Sequence, residues 1–542
     1  MSSPASSETL GASTAPQAAS ASAPFRHRTF TVIWVATVVS NVGSWMYSVA
    51  CGWLMTNLNP DPLTVSLVQV ANSLPMFLFA IPAGALVDIV DRRLFLLIGE
   101  SAVTLTSTAF AALVWFHLIT RVSLLVFTFI VAVGSAVTAP AWQAVVPQLV
   151  PKSEMPAAIA ANSVGINVSR ALGPALGGIM TATLGIAAAF WFNGFSNVGV
   201  IVALIRWREP KKSVPLLPPE TFGRAMRAGL RHARYNTPLR ATLIRSVGFF
   251  VFASAYWGLL PLVARSQIAG SPALYGLLLG VIGASAVGGA FLLRPLRTKL
   301  GADRLLAAAT VATAVATALF GLAHNAATAL TARLLAGASW IAEVSSLNVS
   351  AQVALPEWVR GRGLAMYVTI MFGAQSLGSA IWGEAASIAG FPAALYAAAA
   401  GALITIRLTW RWKLQTGAAV DLTPSMDWPE PITTREIDPD RGPVLVTVEY
   451  RIEPKHREQF LRAMSLFARS LRRDGANEFG IFEDPADDGR FVETFMTDSW
   501  LDHMRLHQRL TNADSEVEQA VRHLQVGGEP KTTHLTLAQP HD

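Results

Sequence analysis

Residues 122–148 read VSLLVFTFIVAVGSAVTAPAWQAVVPQ, a run without a single charged side chain. A helix of about 20 such residues spans the hydrocarbon core of a bilayer. Further apolar stretches of similar length lie at about 29–54, 64–87, 94–118, 156–181, 184–205, 241–263, 272–294, 304–322, 326–353, 363–388 and 391–410. The sequence therefore predicts an all-α membrane protein with twelve transmembrane helices.

The composition of the chain favours the same fold class. Of 542 residues, 52% are hydrophobic and 14% are charged, whereas soluble proteins average about 25% charged residues. A chain with so little polar surface must turn its apolar excess toward lipid. Cys51 is the only cysteine, so an intramolecular disulfide is excluded, and the many large apolar residues exclude a wholly disordered chain.

The basic residues between the stretches indicate the orientation. With the N-terminus in the cytoplasm, the short inner loops carry Arg92, Arg93, Lys152, Arg294, Arg297, Lys299, Arg360 and Arg362. The outer loops carry Arg121 and Arg265. Because Lys and Arg concentrate in cytoplasmic loops, we expect a multi-pass protein of the inner membrane with both termini in the cytoplasm. This rule also accounts for the net charge of +7 without a nucleic-acid partner.

Composition divides the chain into six regions. The predicted boundaries are 1–24 (disordered tail), 25–205 (first six-helix half), 206–240 (cytoplasmic linker), 241–413 (second six-helix half), 414–442 (second linker) and 443–542 (water-soluble domain). The first linker is Pro-rich and then basic and amphipathic, which is typical of a helix on the inner leaflet. The last region holds 12 basic and 17 acidic side chains, so the basic balance belongs to the apolar part.

An internal repeat supports two related halves. Gln143 and Pro147 end the fourth stretch, and Gln352 and Pro356 end the tenth in the same way. The pair Gly173 and Gly178 of the fifth stretch is matched in the eleventh by Gly378 and Gly383. Two six-helix repeats of the same orientation are typical of secondary transporters.

The loop after the second stretch has the spacing of a gating motif. A small residue allows helices to approach closely, and a carboxylate beside basic residues can hold one conformation through a breakable contact. The loop resembles the G-x-x-x-D-R-x-G-R-R signature of the major facilitator superfamily at Gly84, Asp88, Arg92 and Arg93, and departs from it at Ile89 and Asp91. A simple positive-inside anchor is the alternative.

The fifth stretch contains small residues at packing distance, together with a proline that kinks helices. It resembles the superfamily's exporter motif, G-x-x-x-G-P-x-x-G-G, through Arg170, Gly173, Pro174, Gly177 and Gly178, with Ser169 in place of the first Gly. The resemblance implies outward transport. Ordinary small-residue helix packing explains the same pattern.

Charges deep inside apolar stretches are costly unless paired or hydrated. Arg170 and Glu343 lie about midway through their stretches, and Glu100 lies in the inner third of the third stretch. We expect Glu343 and Arg170 to face a central cavity and contact substrate or a proton, with Glu100 and Asn41 as further candidates; structural pairing between helices is the alternative. Further polar and aromatic candidates for the cavity, or for the helix core or lipid face, are Asn72, Asn193, Gln375, Trp45, Trp191, Trp340 and Phe372.

One feature of the superfamily is displaced in this chain. The fourth stretch lacks the Arg that members carry near its start, often tied to proton coupling, and an Arg-x-x-x-Gly occurs instead in the tenth stretch at Arg333 and Gly337. This departure speaks against a standard proton relay.

The C-terminal region has the element order of a small α+β ferredoxin-like domain. Strands are predicted at 444–452, 479–483, 490–497 and 532–537, and helices at 454–473 and 500–524. It resembles the antibiotic-biosynthesis-monooxygenase-like family, which implies dimerisation through this domain. Trp500, His503 and His507 lie on its second helix. Without a third ligand evident in the sequence, we expect a solvated helix face and no metal.

Together the features resemble the enterobactin-exporter-like branch of the superfamily. The resemblance implies a secondary active exporter of amphipathic small molecules, of drug or siderophore type, driven by the proton gradient. No G-x-x-x-x-G-K-[ST] phosphate-binding loop is present, so no cofactor is expected and ATP is not expected to drive transport. The alternatives are a membrane-anchored monooxygenase-like enzyme acting through 443–542, and a signalling protein on a transporter fold.

Overall fold

A computed structural model describes residues 20, 22–207, 222–416, 420–429, 431, 433 and 437–538. The predicted disordered tail (1–24) and the Pro-rich part of the first linker lie mostly outside the described residues.

Residues 25–207 form six long helices joined by short turns. They are α1 (Arg28–Leu58), α2 (Pro62–Ile89), α3 (Arg92–Trp115), α4 (Arg121–Val145), α5 (Met155–Leu184) and α6 (Ile186–Arg206). Polar side chains before α2, α3 and α4 accept hydrogen bonds from the first free backbone amides of these helices. Asp91, which departs from the superfamily signature, caps α3 by accepting from the Leu94 amide at 2.8 Å. An Asp at this position therefore starts a helix where the signature has a glycine.

The second part of the bundle begins with a short amphipathic helix. The helices are α7 (Phe222–Tyr235), α8 (Thr237–Leu262), α9 (Pro272–Gly321), α10 (Ala326–Val353), α11 (Glu357–Ala389) and α12 (Phe391–Thr409). Within α9 the backbone of Gly301 is left-handed, with φ of 74°, a conformation that glycine adopts without strain. The break divides α9 into two pieces, close to the predicted stretches 272–294 and 304–322.

Nine of the described helices are long and apolar enough to cross a membrane. They are α1–α4, α6, α8, α9, α11 and α12, with α9 counted once. The protein is therefore a multi-pass membrane protein. The count of twelve spans stays a prediction, because α5 and α10 are less apolar and α9 is a single broken helix.

Two extensive helix contacts join the halves. In the first, α2 packs against α11, and in the second, α5 packs against α9. Each pair joins one helix of 25–205 to one helix of 241–413, so the space between these pairs is enclosed by both halves.

The C-terminal region is a four-stranded antiparallel sheet with helices on one face. Its elements are β1 (Val444–Arg451), α13 (Arg457–Asp474), β2 (Asn477–Glu483), β3 (Arg490–Thr497), α14 (Trp500–Arg509), α15 (Asn512–Arg522) and β4 (Lys531–Thr536). The strand order is β2-β3-β1-β4. The predicted strands are confirmed. The predicted helix 500–524 is two helices, because Thr511 and Asp514 form a capping box that starts α15.

This domain docks on the helix bundle through α7. The Asp474 carboxylate of α13 lies 3.3 Å from the His232 imidazole of α7, and both side chains are buried. Burial opposes ionisation of Asp474, but the Arg473 guanidinium and the His232 imidazole keep its pKa below the usual range. We expected α7 to lie on the membrane surface; the structure packs it between α11 and α13.

Candidate functional site

A cavity of about 370 Å³ lies between the two halves of the helix bundle. Its walls come from α1, α2 and α5 on one side and from α8–α11 on the other. The aromatic lining residues are Trp45, Trp257, Tyr275, Trp340 and Phe372, and the polar ones include Gln69, Asn72, Arg170 and Gln375. Several of the side chains considered from the sequence are thus brought together, whereas Asn193 and Trp191 are not among the lining residues.

Arg170 is the charged side chain of this cavity. It lies midway along α5 and, among the described lining residues, it alone carries a charge at neutral pH. In the described ranges it forms no hydrogen bond or ion pair. A half-buried cation between membrane helices is costly unless water, an anion or a hydrogen-bond acceptor compensates it. The arrangement therefore suits a guest with an acidic or acceptor group and an apolar body.

The small residues beside Arg170 set the distance between helices. A Cβ at Gly173 would lie 2.6 Å from Trp45 Cβ, and a Cβ at Gly177 would lie 2.7 Å from Met46 Cα; both neighbours belong to α1. A Cβ at Gly178 would lie 2.8 Å from Gly276 Cα in α9, and one at Gly276 would lie 2.5 Å from the Pro174 carbonyl oxygen. The motif therefore allows α5 to touch one helix of its own half and one of the other half.

Polar contacts close one end of the cavity, which we call the α1–α2 end. Ser387 Oγ donates to Asp61 Oδ1 at 3.0 Å and accepts from the Leu63 amide at 3.1 Å. Arg265 Nη1 donates to Thr56 Oγ1 at 3.0 Å. Each of these bonds joins one half to the other, so the described conformation is sealed at this end.

A second cavity, of about 330 Å³, lies inside the first half. Both Asn41 and Glu100 line it. Trp142 Nε1 donates to Glu100 Oε1 at 2.8 Å. The structure thus brings these two predicted residues together, away from Arg170.

Glu343 does not line the central cavity. It is fully buried beside a space of about 20 Å³ that is also lined by Arg245 and Thr310. Thr310 Oγ1 donates to Glu343 Oε1 at 2.5 Å, and Arg245 pairs with Asp303 at 2.8 Å. The expectation that Glu343 and Arg170 share one cavity is wrong, because Glu343 faces α8 and the second piece of α9.

The gating-motif residues fasten helices of one half. Arg93 Nε donates to the Leu204 carbonyl oxygen at 2.9 Å, and its Nη2 donates to that of Ile205. A cation at the end of a helix satisfies its last carbonyls and its dipole. Arg93 therefore ties the start of α3 to the end of α6, while Nε of Arg92 is buried without a partner among the described residues.

Gly84 of the gating motif lies clear of neighbouring helices. No described atom lies within 4 Å of a Cβ built at Gly84, so the close approach expected there does not occur in this conformation. The side chain of Asp88 lies outside the described part of the structure.

Sequence reasoning noted Arg333 but missed its surroundings. Arg333 is fully buried, and its Nε donates to the Leu278 carbonyl oxygen at 2.9 Å. Its guanidinium carbon lies 4.9 Å from the ring centre of Trp257 and 5.4 Å from that of Tyr256. Cation–π contacts of this kind compensate a buried guanidinium. The rings belong to α8 and Arg333 belongs to α10. These helices are far apart in sequence, so the sequence gives no sign that they meet.

The C-terminal domain contains a further cavity, of about 600 Å³, between the sheet and the segment before it. Trp500, His507 and His534 line it. His503 is fully buried and its Nε2 lies 3.2 Å from Nε2 of His507. The expected solvated helix face is therefore wrong. Burial lowers the pKa of His503 to about 3 and that of His507 to about 4, so both imidazoles are neutral at pH 7.

Glu493 also lines this cavity and was not recognised from the sequence. Its side chain is buried, and Tyr450 Oη donates to its Oε2 at 2.9 Å. Burial raises the pKa of Glu493 to about 8, so the carboxyl is largely protonated in the folded domain at neutral pH. The alternation of side chains along β3 points Glu493 to the same face as Phe495, toward the cavity.

Replacing Glu493 by glutamine should remove a pH-dependent loss of stability. Between its ordinary pKa, about 4.3, and about 8, the unfolded chain releases the proton that the folded domain keeps. The native domain then loses about 1.4 kcal/mol per pH unit as pH rises. Hydrogen-exchange protection of β3 in the full-length protein should therefore fall from pH 5 to pH 8 in the wild type and less in Glu493→Gln. Equal slopes would contradict this assignment.

Comparisons with known proteins show to which family the chain belongs. The family model described as "Transmembrane secretion effector" (MFS_3) matches residues 19–541. The macrolide efflux protein A of Streptococcus pyogenes is 24% identical over 45% of this chain and 60% of its own length. The enterobactin exporter EntS of Citrobacter koseri is 25% identical over 67% of this chain and 89% of its own length.

The alignments cover between 36% and 60% of the first relatives matched. Among solved structures, a bacterial homologue of the iron transporter ferroportin in an inward-facing state is 16% identical, covers 71% of this chain and 98% of that one, and has a TM-score of 0.55. This similarity concerns the fold. The chain therefore belongs to the transmembrane secretion effector family of major facilitator superfamily transporters.

Proposed function

We propose that the protein is a secondary active exporter of amphipathic small molecules across the inner membrane. The observation that carries the proposal is the cavity between the halves, with aromatic walls and the cation of Arg170, which pairs with none of the described residues. Such a cavity favours a guest with an apolar body and an acidic or acceptor group. Relatives named for macrolide efflux and enterobactin export support an outward direction.

The proposed topology has twelve spans in two six-helix repeats. Counting α5, α10 and the two pieces of α9 as spans brings the nine apolar helices to twelve. With the N-terminus in the cytoplasm, the α1–α2 end faces outward and both termini lie inside. Breaking the Arg265 and Ser387 contacts would open that end, as alternating access requires.

We propose that the gating loop and the exporter motif act in the same transport cycle. Gly84, Asp88, Arg92 and Arg93 would hold the inward side, where Arg93 already ties α3 to α6. Gly173, Pro174, Gly177 and Gly178 would set the packing of the two halves, as their approach to α9 suggests. Breakable contacts of both kinds provide the two states that transport needs.

Proton coupling is proposed to act through Glu343, with Glu100 as the second carboxyl. Replacing Glu343 by glutamine should abolish the part of efflux that depends on the pH gradient, because the amide cannot carry a proton. Transport in inverted vesicles with and without an imposed gradient measures this. Glu357→Gln, at an exposed site on α11, is the control. Unchanged gradient-driven efflux in Glu343→Gln would remove the residue from the mechanism.

For the C-terminal domain we propose a ferredoxin-like module, whose strand order β2-β3-β1-β4 is that of the fold. We further propose that two copies of the chain dimerise through the sheet of this domain. The enzyme alternative draws on the cavity that His507 and Glu493 line. Deleting 443–542 separates the two functions: efflux that survives the deletion contradicts an enzyme, and efflux that is lost contradicts a free-standing transporter.

The function itself is tested by efflux from cells that express the full chain. Acidic, neutral and cationic amphipathic dyes, antibiotics and siderophores would be loaded and their retention followed. We expect acidic compounds to leave the cells faster than neutral or cationic ones, because Arg170 would bind their anionic group. If no compound of any class leaves faster than from cells without the protein, the proposal fails.

A further inference from the structure

Three histidines meet in the C-terminal domain, although they come from two distant segments. His503 and His507 lie one turn apart on α14, and His534 lies on β4. One ring nitrogen from each lies within 4.8 Å of those of the other two. The rings of His503 and His534 are 4.9 Å apart between centres. Sequence alone showed the first two, and the fold supplies the third.

The spacing of these nitrogens suits a bound metal ion. Zn²⁺ binds imidazole nitrogen at about 2.0–2.1 Å in tetrahedral geometry, which places neighbouring ligand nitrogens about 3.3 Å apart. The observed separation of 3.2 Å between Nε2 of His503 and Nε2 of His507 is close to this value. The third imidazole is near enough to complete three corners of a tetrahedron after a small side-chain adjustment.

The surroundings of the cluster are compatible with ligating imidazoles. The backbone of Trp428 hydrogen-bonds His507, and such an outer contact usually orients a ligating imidazole. Nδ1 of His503 is buried without a partner among the described residues. Because the two Nε2 atoms are the pair at ligand spacing, this Nδ1 would carry the ring proton of the neutral imidazole when Nε2 binds a cation.

We propose that His503, His507 and His534 form a three-histidine site for a divalent transition-metal ion of the Zn²⁺ type, with the fourth coordination position open to the adjacent cavity. Imidazole ligands suit Zn²⁺, Cu²⁺ and Ni²⁺ rather than Mg²⁺ or Ca²⁺. Three protein ligands with an open position are typical of sites that bind a further molecule.

The cavity identifies the class of that further ligand. His507 and His534 both line it, so the ion would lie at its wall. Apolar side chains, among them Trp428 and Phe495, form much of the remaining surface, and the carboxyl of Glu493 lies among them. A small organic molecule with a metal-binding oxygen and an apolar body would match both features. This inference does not depend on the direction or energy source of transport.

The test uses the full-length protein, purified in detergent without a histidine tag and stripped with a chelator. Titration with Zn²⁺ alone, against a chromophoric chelator, should show one ion per chain with a submicromolar Kd. His534→Ala should weaken binding by at least about 100-fold, since loss of even an outer contact costs 10–100-fold. His523→Ala, at an exposed site in the same domain, should bind as the wild type does.

Absence of stoichiometric binding, or equal affinity in His534→Ala and wild type, would overturn the site. Hydrogen exchange of β3 checks that the variant is folded, and His534→Gln repeats the test with a closer match in size.

Co²⁺ in place of Zn²⁺ should give the visible bands of a tetrahedral nitrogen site, and these should vanish in His507→Ala. Acetohydroxamate should shift the bands if the fourth position is open; unchanged bands would overturn the open position.

Discussion

Substituting alanine for Gly276 is expected to reduce efflux by about tenfold or more, the largest effect we anticipate from a single methyl group. The added Cβ would lie 2.5 Å from the Pro174 carbonyl oxygen and 2.7 Å from Gly178 Cα. These are backbone atoms, which cannot swing aside, so α5 and α9 must separate. Overpacking of this kind costs about 1–3 kcal/mol, and each 1.4 kcal/mol changes a conformational equilibrium about tenfold.

The direction of the effect follows from the state in which the contact forms. The α5–α9 contact exists in the conformation closed at the α1–α2 end, so the variant should spend more time open there. With Cys51 replaced by serine, a cysteine at Ser48 in the cavity wall would report access of a membrane-impermeant thiol reagent. We expect faster labelling from outside in Gly276→Ala.

Gly288→Ala is the matched control on the same helix. No described atom lies within 4 Å of a Cβ at Gly288, so this substitution meets no neighbour and should gain up to about 1 kcal/mol of helix propensity. Normal efflux and labelling are expected. If Gly276→Ala and Gly288→Ala behave alike, close packing between the halves does not limit transport.

Replacing Arg170 by glutamine should reduce export of carboxylate-bearing substrates by about 10- to 100-fold, which corresponds to the loss of a hydrogen bond to a charged group worth about 1.5–3 kcal/mol. Neutral substrates should be affected much less, because they use the aromatic walls of the cavity. Concentration-dependent efflux rates for one acidic dye and its methyl ester would measure the difference.

Two control variants isolate the charge of Arg170. Arg170→Lys keeps the charge but not the planar fork of donors, so acidic substrates should retain part of their rate. Arg294→Gln removes an exposed charge of α9 outside the cavity and should leave rates unchanged. An equal loss for the dye and its ester in Arg170→Gln would show that the residue supports packing instead of selecting acidic groups.

Much of the membrane architecture was predictable because it depends on local composition. The stretch 122–148 becomes α4 (Arg121–Val145), since an apolar helix satisfies its own backbone hydrogen bonds in lipid. Membership in the superfamily followed from short motifs and is confirmed by the family match. The four strands of the C-terminal domain were predicted from alternation, whereas the break before α15 was missed because the Thr511 capping box outweighs the helical spacing around it.

The site was less predictable, because contacts between distant segments have no local signature. Arg170 lies in the wall of the central cavity, whereas position along a helix could not show that Glu343 faces a different space. Helix rotation decides that Glu343 faces Thr310. The aromatic rings around Arg333 and the approach of His534 to His503 and His507 depend on segments far apart in sequence.

Hydropathy, loop charge and small-residue spacing along the chain were thus sufficient to predict a multi-pass membrane protein of a transporter family with a separate α+β region at its C-terminus. Tertiary structure alone decided which side chains share a cavity, how closely α5 approaches α9, and that three histidines converge. The physical reason is that bilayer insertion depends on the summed transfer energy of each segment, whereas a binding site depends on distances of a few ångströms between segments that only packing brings together.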